Sequence, residues 1–203
     1  MMLPTALRPA APRCAPASRR LLRARLATGP APILDRPPFA LTLGLIKPDL
    51  YADPNAVHAV FERLRRDQWE VVRQREVLFQ PRDAGAFYAE HQGRFFFDRL
   101  VGYMTSGPFS AMLLRRPDPN KDAITAWRAL IGPTHPVRAQ VNQPQSLRAE
   151  FGLTDTRNSF HGSDAPETAA REINFFFPQD PVLVEYLAHW RGADGKPLFL
   201  DQL

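Results

Sequence analysis

"FALTLGLIKPD", residues 39–49, decides how the chain folds. Its first eight residues are apolar or small, and a lysine, a proline and an aspartate stop the run, as expected of a buried strand ending in a turn. Working outward, Asp53 and Pro54 offer a helix N-cap and a first-turn proline. Val57, Val60, Phe61 and Leu64 follow at helical spacing, with Arg63, Arg65 and Arg66 on the wet side. "WEVVRQREVLF" (69–79) reads as a second strand and "FSAMLLR" (109–115) as a third. Short helices are expected over 82–91 and 94–105, the latter with Leu100, Val101 and Met104 inward and broken by Ser106-Gly107-Pro108. "RPDPN" (116–120) reads as a turn, from which Asn120 offers a cap for a helix to about Leu130 that Gly132-Pro133 ends. Residues 133–146 read as a polar surface loop, "SLRAEFG" (146–152) as a fourth strand or a turn, and 164–176 as a helix with Ala165, Ala169, Ile173 and Phe176 on one face. The tail from Pro178 has too little pattern for an assignment.

This order of elements predicts an α/β chain, an α+β sandwich whose small, mainly antiparallel sheet is covered by helices. A length of 203 residues suits one domain with tails. With 44% hydrophobic and 23% charged residues, the chain reads as soluble and globular. Its apolar runs are too short to cross a bilayer, so no membrane role is expected.

The formal charge is +5, and six arginines in residues 1–34, with no acidic residue among them, account for more than all of it. The remaining body stands at −1, which argues against nucleic acid as a partner. The leader is Ala- and Pro-rich, and "SRRLLRARLA" (18–27) has the pattern of a short amphipathic helix. These features predict a disordered organelle transit peptide over 1–34, with the mitochondrion ahead of the plastid because serine is sparse; the alternative is a plain basic tail. A domain over 35–180 and a C-terminal extension over 181–203 complete the expected organisation. The only cysteine, Cys14, lies in the leader, so the body has no disulfide, zinc–thiolate site or thiol nucleophile.

"RNSFHGSD", residues 157–164, sets His161 among short polar side chains. A buried structural histidine would sit among apolar neighbours, and a metal ligand would have companions at ligand spacing; no HxxxH or CxxC pattern exists, so no metal site is expected. The bland alternative is a polar loop in which Ser163 or Asp164 caps the following helix. The chemical reading starts from the same residues. A histidine beside glycine ahead of a helix sits where backbone N–H groups face an anion. Imidazole is a nucleophile near neutral pH if one nitrogen is bare, which needs an acceptor for the other nitrogen's hydrogen; Glu172, on the next helix, is placed to reach back. A nucleophilic histidine with cationic and hydroxyl neighbours points to phosphoryl transfer through phosphohistidine.

"LIKPD" (45–49), "FYAEHQGRFFFDRLVGYMTSGP" (87–108), "WRALIGPT" (127–134), "SLRAEFG" (146–152), "TRNSFHGSD" (156–164) and "AAREINFFF" (169–177) occur in that order. Together they resemble the nucleoside diphosphate kinase family over about residues 39–178, and "FGLTDTRN" with "GRFFF" resembles its divergent, organelle-associated type 6 branch. The expected fold is accordingly ferredoxin-like, with a four-stranded, mainly antiparallel sheet. The resemblance implies that His161 takes the γ-phosphate of a nucleoside triphosphate such as ATP and passes it to a nucleoside diphosphate. It implies Glu172 as the acid that orients the ring, Ser163 as that acid's support, Lys47 as the cation facing the transferred phosphate, and Tyr88 as its hydrogen-bonding neighbour. It further implies Arg128, Thr134 and Arg148 as the phosphate-binding set, Asn158 on the sugar hydroxyls and Phe96 as the stacking surface for the base. Mg²⁺ would arrive on the nucleotide.

The chain also departs from the family pattern. Phe95 stands for a proline, Pro133 for an acidic residue, and Asp155 where a small apolar residue often closes the other face of the base. Among the consecutive phenylalanines 95–97, at least two are expected in the core. Residues 116–120 read as an insertion, and the divergent loop at 135–145 leaves open whether the chain forms a homo-oligomer. The competing expectation is a catalytically weak nucleotide-binding module that works through an organellar protein partner.

Overall fold

The computed structural model describes residues 40–116, 118 and 122–190. The leader, Phe39, Asn120, most of the 116–120 turn and residues 191–203 lie outside them.

Strand β1 (Ala40–Ile46) is central. It pairs antiparallel with β3 (Phe109–Arg116) on one side and with β4 (Phe160–Gly162) on the other; β2 (Glu70–Val77) pairs antiparallel with β3. The order β2-β3-β1-β4 is the expected four-stranded ferredoxin-like sheet.

Side chains alternate across β1 and β3. Leu41, Leu43, Leu45, Phe109, Ala111 and Leu113 enter one core, with Phe79, Phe87, Ile173 and Phe176. Ile46, Met112 and Leu114 enter a second core, with Val60, Leu64, Trp69, Trp127 and Phe160. Both faces of β1 are therefore dry, and this is why its sequence is nearly unbroken by polar residues.

The helices form where local chemistry starts them. After a single turn, α1 (Pro48–Tyr51), comes α2 (Pro54–Arg66), whose cap Asp53 accepts from the Asn55 and Ala56 amides. Helix α3 (Pro81–Phe87) runs into a 3₁₀ turn at Ala89–His91, and α4 (Phe97–Met104) follows. Helix α5 (Ala123–Ile131) is capped by Asp122 and ends at Gly132, whose φ of 81° suits glycine.

Two regions differ from the sequence reading, and a third, left unassigned there, forms a helix. The expected 133–146 loop contains α6 (Pro136–Asn142), which only Pro136 and Ala139 anchor inward, too few for a visible period. "SLRAEFG" is neither strand nor turn: it forms α7 (Leu147–Phe151), and the fourth strand is β4, around the histidine itself. The last described stretch holds α9 (Pro181–Ala188), capped by Asp180, with Leu183, Tyr186 and Leu187 in the first core. No helix among the described residues is long and apolar enough to cross a membrane.

Candidate active site

Lys47 ends β1, and its amide donates to the Ser159 carbonyl at 2.8 Å, so the strand's end and the segment before β4 are tied together. On β4, His161 is paired with Leu45. The histidine therefore stands on a strand, ahead of α8 (Pro166–Phe176), and not in the helix's own N-terminal turn. Ala165 occupies the N-cap with no side-chain bond, so neither Ser163 nor Asp164 caps this helix. Gly162 answers a packing need. A Cβ there would stand 2.4 Å from Trp127 Cδ1, and the Trp127 indole N–H donates to the His161 carbonyl at 2.9 Å.

The His161 ring faces a cavity of about 400 Å³, and its side chain is 18% exposed. Its Nε2 lies 2.9 Å from Glu172 Oε2, and Ser163 Oγ donates to the same oxygen at 2.6 Å. Burial pushes the Glu172 carboxyl up, but the His161 charge, the bonds from His161 and Ser163, and Arg171 outweigh it and hold the group below the usual carboxylate range. A carboxylate on Nε2 favours the tautomer with hydrogen on that nitrogen and leaves Nδ1 as the basic atom. Phe87 and Tyr88 meet the imidazole edge-on, with ring centroids 5.4 and 6.0 Å away.

Every residue singled out from the sequence lines this one cavity: Lys47, Tyr88, Phe96, Arg128, Thr134, Arg148, Asn158, His161, Ser163 and Glu172. Lys47 Nζ donates to Asn158 Oδ1 at 2.8 Å and sits 5.7 Å from the Tyr103 ring centroid. Burial, then the Arg148 charge, lowers the Lys47 amine to about 7, with Asp49 opposing. Asp49 is engaged by the hydroxyls of Tyr103 and Ser159. The Tyr88 hydroxyl is buried and has no hydrogen-bond partner. Burial and the nearby Glu172 charge push its pKa far up.

The two arginines differ. Arg128 is exposed and makes one bond, Nη1 to the Gly162 carbonyl at 3.3 Å. Arg148 is buried and spends Nε, Nη1 and Nη2 on the carbonyls of Asn158, Gly132 and Phe160. Burial, then the Arg128 charge, lowers its guanidinium to about 10. One N–H on each terminal nitrogen remains for a ligand.

At the mouth, Phe95 is 94% exposed and Phe96 half-buried; of the three phenylalanines only Phe97 packs against the core, fewer than expected. His91, Glu90, Arg99 and Asp155 also line the cavity. Sequence reading missed the first three; His91 stacks on Tyr88 at 6.1 Å, a neighbour relation that only the bend between α3 and the 3₁₀ turn creates. Among the described residues no group of three or more His, Cys, Asp or Glu side chains is arranged to hold a metal ion. An ion at this cavity would draw its ligands from phosphate oxygens and water.

Such an arrangement can bind a chain of phosphates on its cations and present a bare imidazole nitrogen to it. The family model "Nucleoside diphosphate kinase" matches residues 41–182. Nucleoside diphosphate kinase 6 of Homo sapiens is 50% identical over 138 residues, which cover 68% of this chain and 72% of the relative. Its namesake in Xenopus tropicalis is 46% identical over 165 residues, covering 81% of this chain and 90% of the relative. Among solved structures, the Aquifex aeolicus nucleoside diphosphate kinase superposes with a TM-score of 0.65 at 36% identity, covering 70% of this chain and 96% of that one.

Proposed function

Because the chain belongs to the nucleoside diphosphate kinase family, in its type 6 branch, we propose that it moves the γ-phosphate of a nucleoside triphosphate, ATP among them, to a nucleoside diphosphate through His161. One observation carries the reading: Glu172 Oε2 accepts from Ser163 Oγ and faces His161 Nε2, so that Nδ1 is the nucleophilic atom.

The Nδ1 lone pair attacks the γ-phosphorus, an N–P bond forms, and the bond from that phosphorus to the bridging oxygen breaks, releasing the diphosphate. A second nucleoside diphosphate then attacks the same phosphorus through a terminal β-oxygen, and the N–P bond returns its electrons to the ring. Glu172 balances the positive charge that the ring carries while phosphorylated. Lys47, Arg128 and Arg148 neutralise phosphate charge as it shifts between donor and acceptor, which is most of what phosphoryl transfer asks of a protein. Tyr88, with its unpartnered hydroxyl, can donate to a phosphate oxygen or accept from the Lys47 ammonium. Phe96 offers its ring to the base, and Asn158 and Thr134 offer polar groups to the sugar and phosphates. Magnesium on the nucleotide would add charge neutralisation at the phosphates.

The test is exchange by the purified protein: labelled ATP and a different nucleoside diphosphate should yield acid-labile label on His161 and labelled triphosphate product. His161→Ala should lose both, and transfer retained in that variant would refute the assignment.

The second reading is a nucleotide-binding module with weak turnover, acting through an organellar partner. It is favoured by Arg148, which gives three of its N–H donors to the backbone, and by the charged Asp155 at the cavity mouth. Normal nucleotide binding without label on His161 would select it. The Arg-rich, acid-free stretch 1–34 supports mitochondrial delivery; a reporter fused behind it that stays in the cytosol would reject that.

A further inference from the structure

We propose that the Arg99–Asp155 ion pair is a specificity wall at the base end of the cavity, holding nucleotides and adding nothing to the binding of bare polyphosphates. The proposal rests on the nucleotide reading above and adds two residues to it.

Two segments wall the cavity mouth: the start of α4, with Phe95, Phe96, Arg99 and Leu100, and the loop bearing Asp155 and Thr156. Arg99 Nη2 donates to Asp155 Oδ2 at 3.0 Å and joins them. The partners are 53% and 56% exposed and line the same cavity as Phe96, so they are open to an entering ligand.

The loop is anchored. Leu153 and Thr154 donate their amides to the Arg157 carbonyl at 2.8 and 3.0 Å. Asn158 Nδ2 donates to the Asp155 carbonyl at 2.8 Å, and Asn158 Oδ1 accepts from Lys47 Nζ at 2.8 Å. A polar chain therefore runs Arg99–Asp155–Asn158–Lys47, from the mouth to the lysine that faces phosphate. It ties the two ends of the cavity together.

The chemistry at the ends differs. The inner end gathers Lys47, Arg128 and Arg148, which suit phosphate. At the mouth the guanidinium is balanced by a carboxylate, so a further phosphate gains little there. A planar guanidinium held by a carboxylate does suit the face or edge of a nucleobase resting on Phe96.

The experiment titrates the full chain, its Arg99→Ala and Asp155→Asn variants and the double variant with ADP and with inorganic pyrophosphate. Both sites are half exposed, so the fold should tolerate the changes. Each single variant should weaken ADP binding about two- to fivefold, the scale of an exposed ion pair. The double variant should be no weaker than either single one, because both remove the same wall. Pyrophosphate affinity should stay constant. Unchanged ADP affinity in both single variants, or equal losses for ADP and pyrophosphate, would overturn the proposal. An unmodified chain that binds pyrophosphate but not ADP would also overturn it, whereas one that binds neither would sink the nucleotide reading beneath it.

Discussion

Ser163 Oγ donates to Glu172 Oε2 at 2.6 Å, on the oxygen that also faces His161 Nε2. Glu172 is 1% exposed, and its hold on the imidazole depends on staying charged and fixed in place. A hydrogen bond to a buried charge contributes about 1.5–3 kcal/mol. Ser163→Ala should therefore slow phosphorylation of His161 by roughly tenfold or more. Single-turnover labelling with ATP measures it, and an unchanged rate would remove Ser163 from the machinery.

Lys47 gives a pH signature. Its amine titrates near 7 because burial and Arg148 disfavour its charge, so above that pH the free protein holds it largely neutral. Phosphate binding favours the charged form, so nucleotide binding at pH 8 should take up a proton. Calorimetry in two buffers of different ionisation enthalpy reads the uptake, and Lys47→Met should abolish it. The stability sign follows from the lowered folded-state value: the unfolded chain binds more protons between about 7 and 10.5, so the cost of burying this lysine is full below pH 7 and fades as pH rises through that window.

The two arginines should separate by assay. Arg148→Lys leaves the carbonyls of Asn158, Gly132 and Phe160 short of donors and should destabilise the ligand-free protein by about 2–3 kcal/mol in a denaturant titration. Arg128→Lys, losing one long bond of 3.3 Å, should leave stability nearly unchanged and weaken phosphate binding. Equal stability losses in the two variants would contradict the division of labour.

Gly162→Ala tests how β4 is held. The added methyl would collide with the Trp127 ring and push the indole off the His161 carbonyl. Overpacking of this kind costs about 1–3 kcal/mol. Tryptophan fluorescence and thermal melting should both change, and a silent substitution would show that Trp127 has room to move.

The sequence made much of this legible for physical reasons. β1 carries two cores, and its run of Leu, Thr, Gly and Ile has no other sensible use. Asp53-Pro54 starts a helix by chemistry that needs no tertiary help. The fourth strand was hidden because β4 is three residues long and is fixed by pairing with Gly44, Leu45 and Ile46, which leaves no period to read. Helix α7 was hidden because its value lies in placing Arg148 under three distant carbonyls. Within the site, "HGSD" pointed to His161 and Ser163, but the reason for Gly162 is a tryptophan 35 residues earlier in the chain. His91 and Glu90 carried no signal, since their place at the cavity follows from the turn between α3 and α4.

Which ring nitrogen of His161 becomes phosphorylated is the most direct test of the account. The purified chain, labelled at the histidine nitrogens, is incubated with ATP and examined at alkaline pH by nitrogen and phosphorus NMR. The account predicts phosphorus bonded to Nδ1, with Nε2 still carrying hydrogen toward Glu172. Phosphorus on Nε2, or none on the ring while the nucleotide is bound, would contradict it.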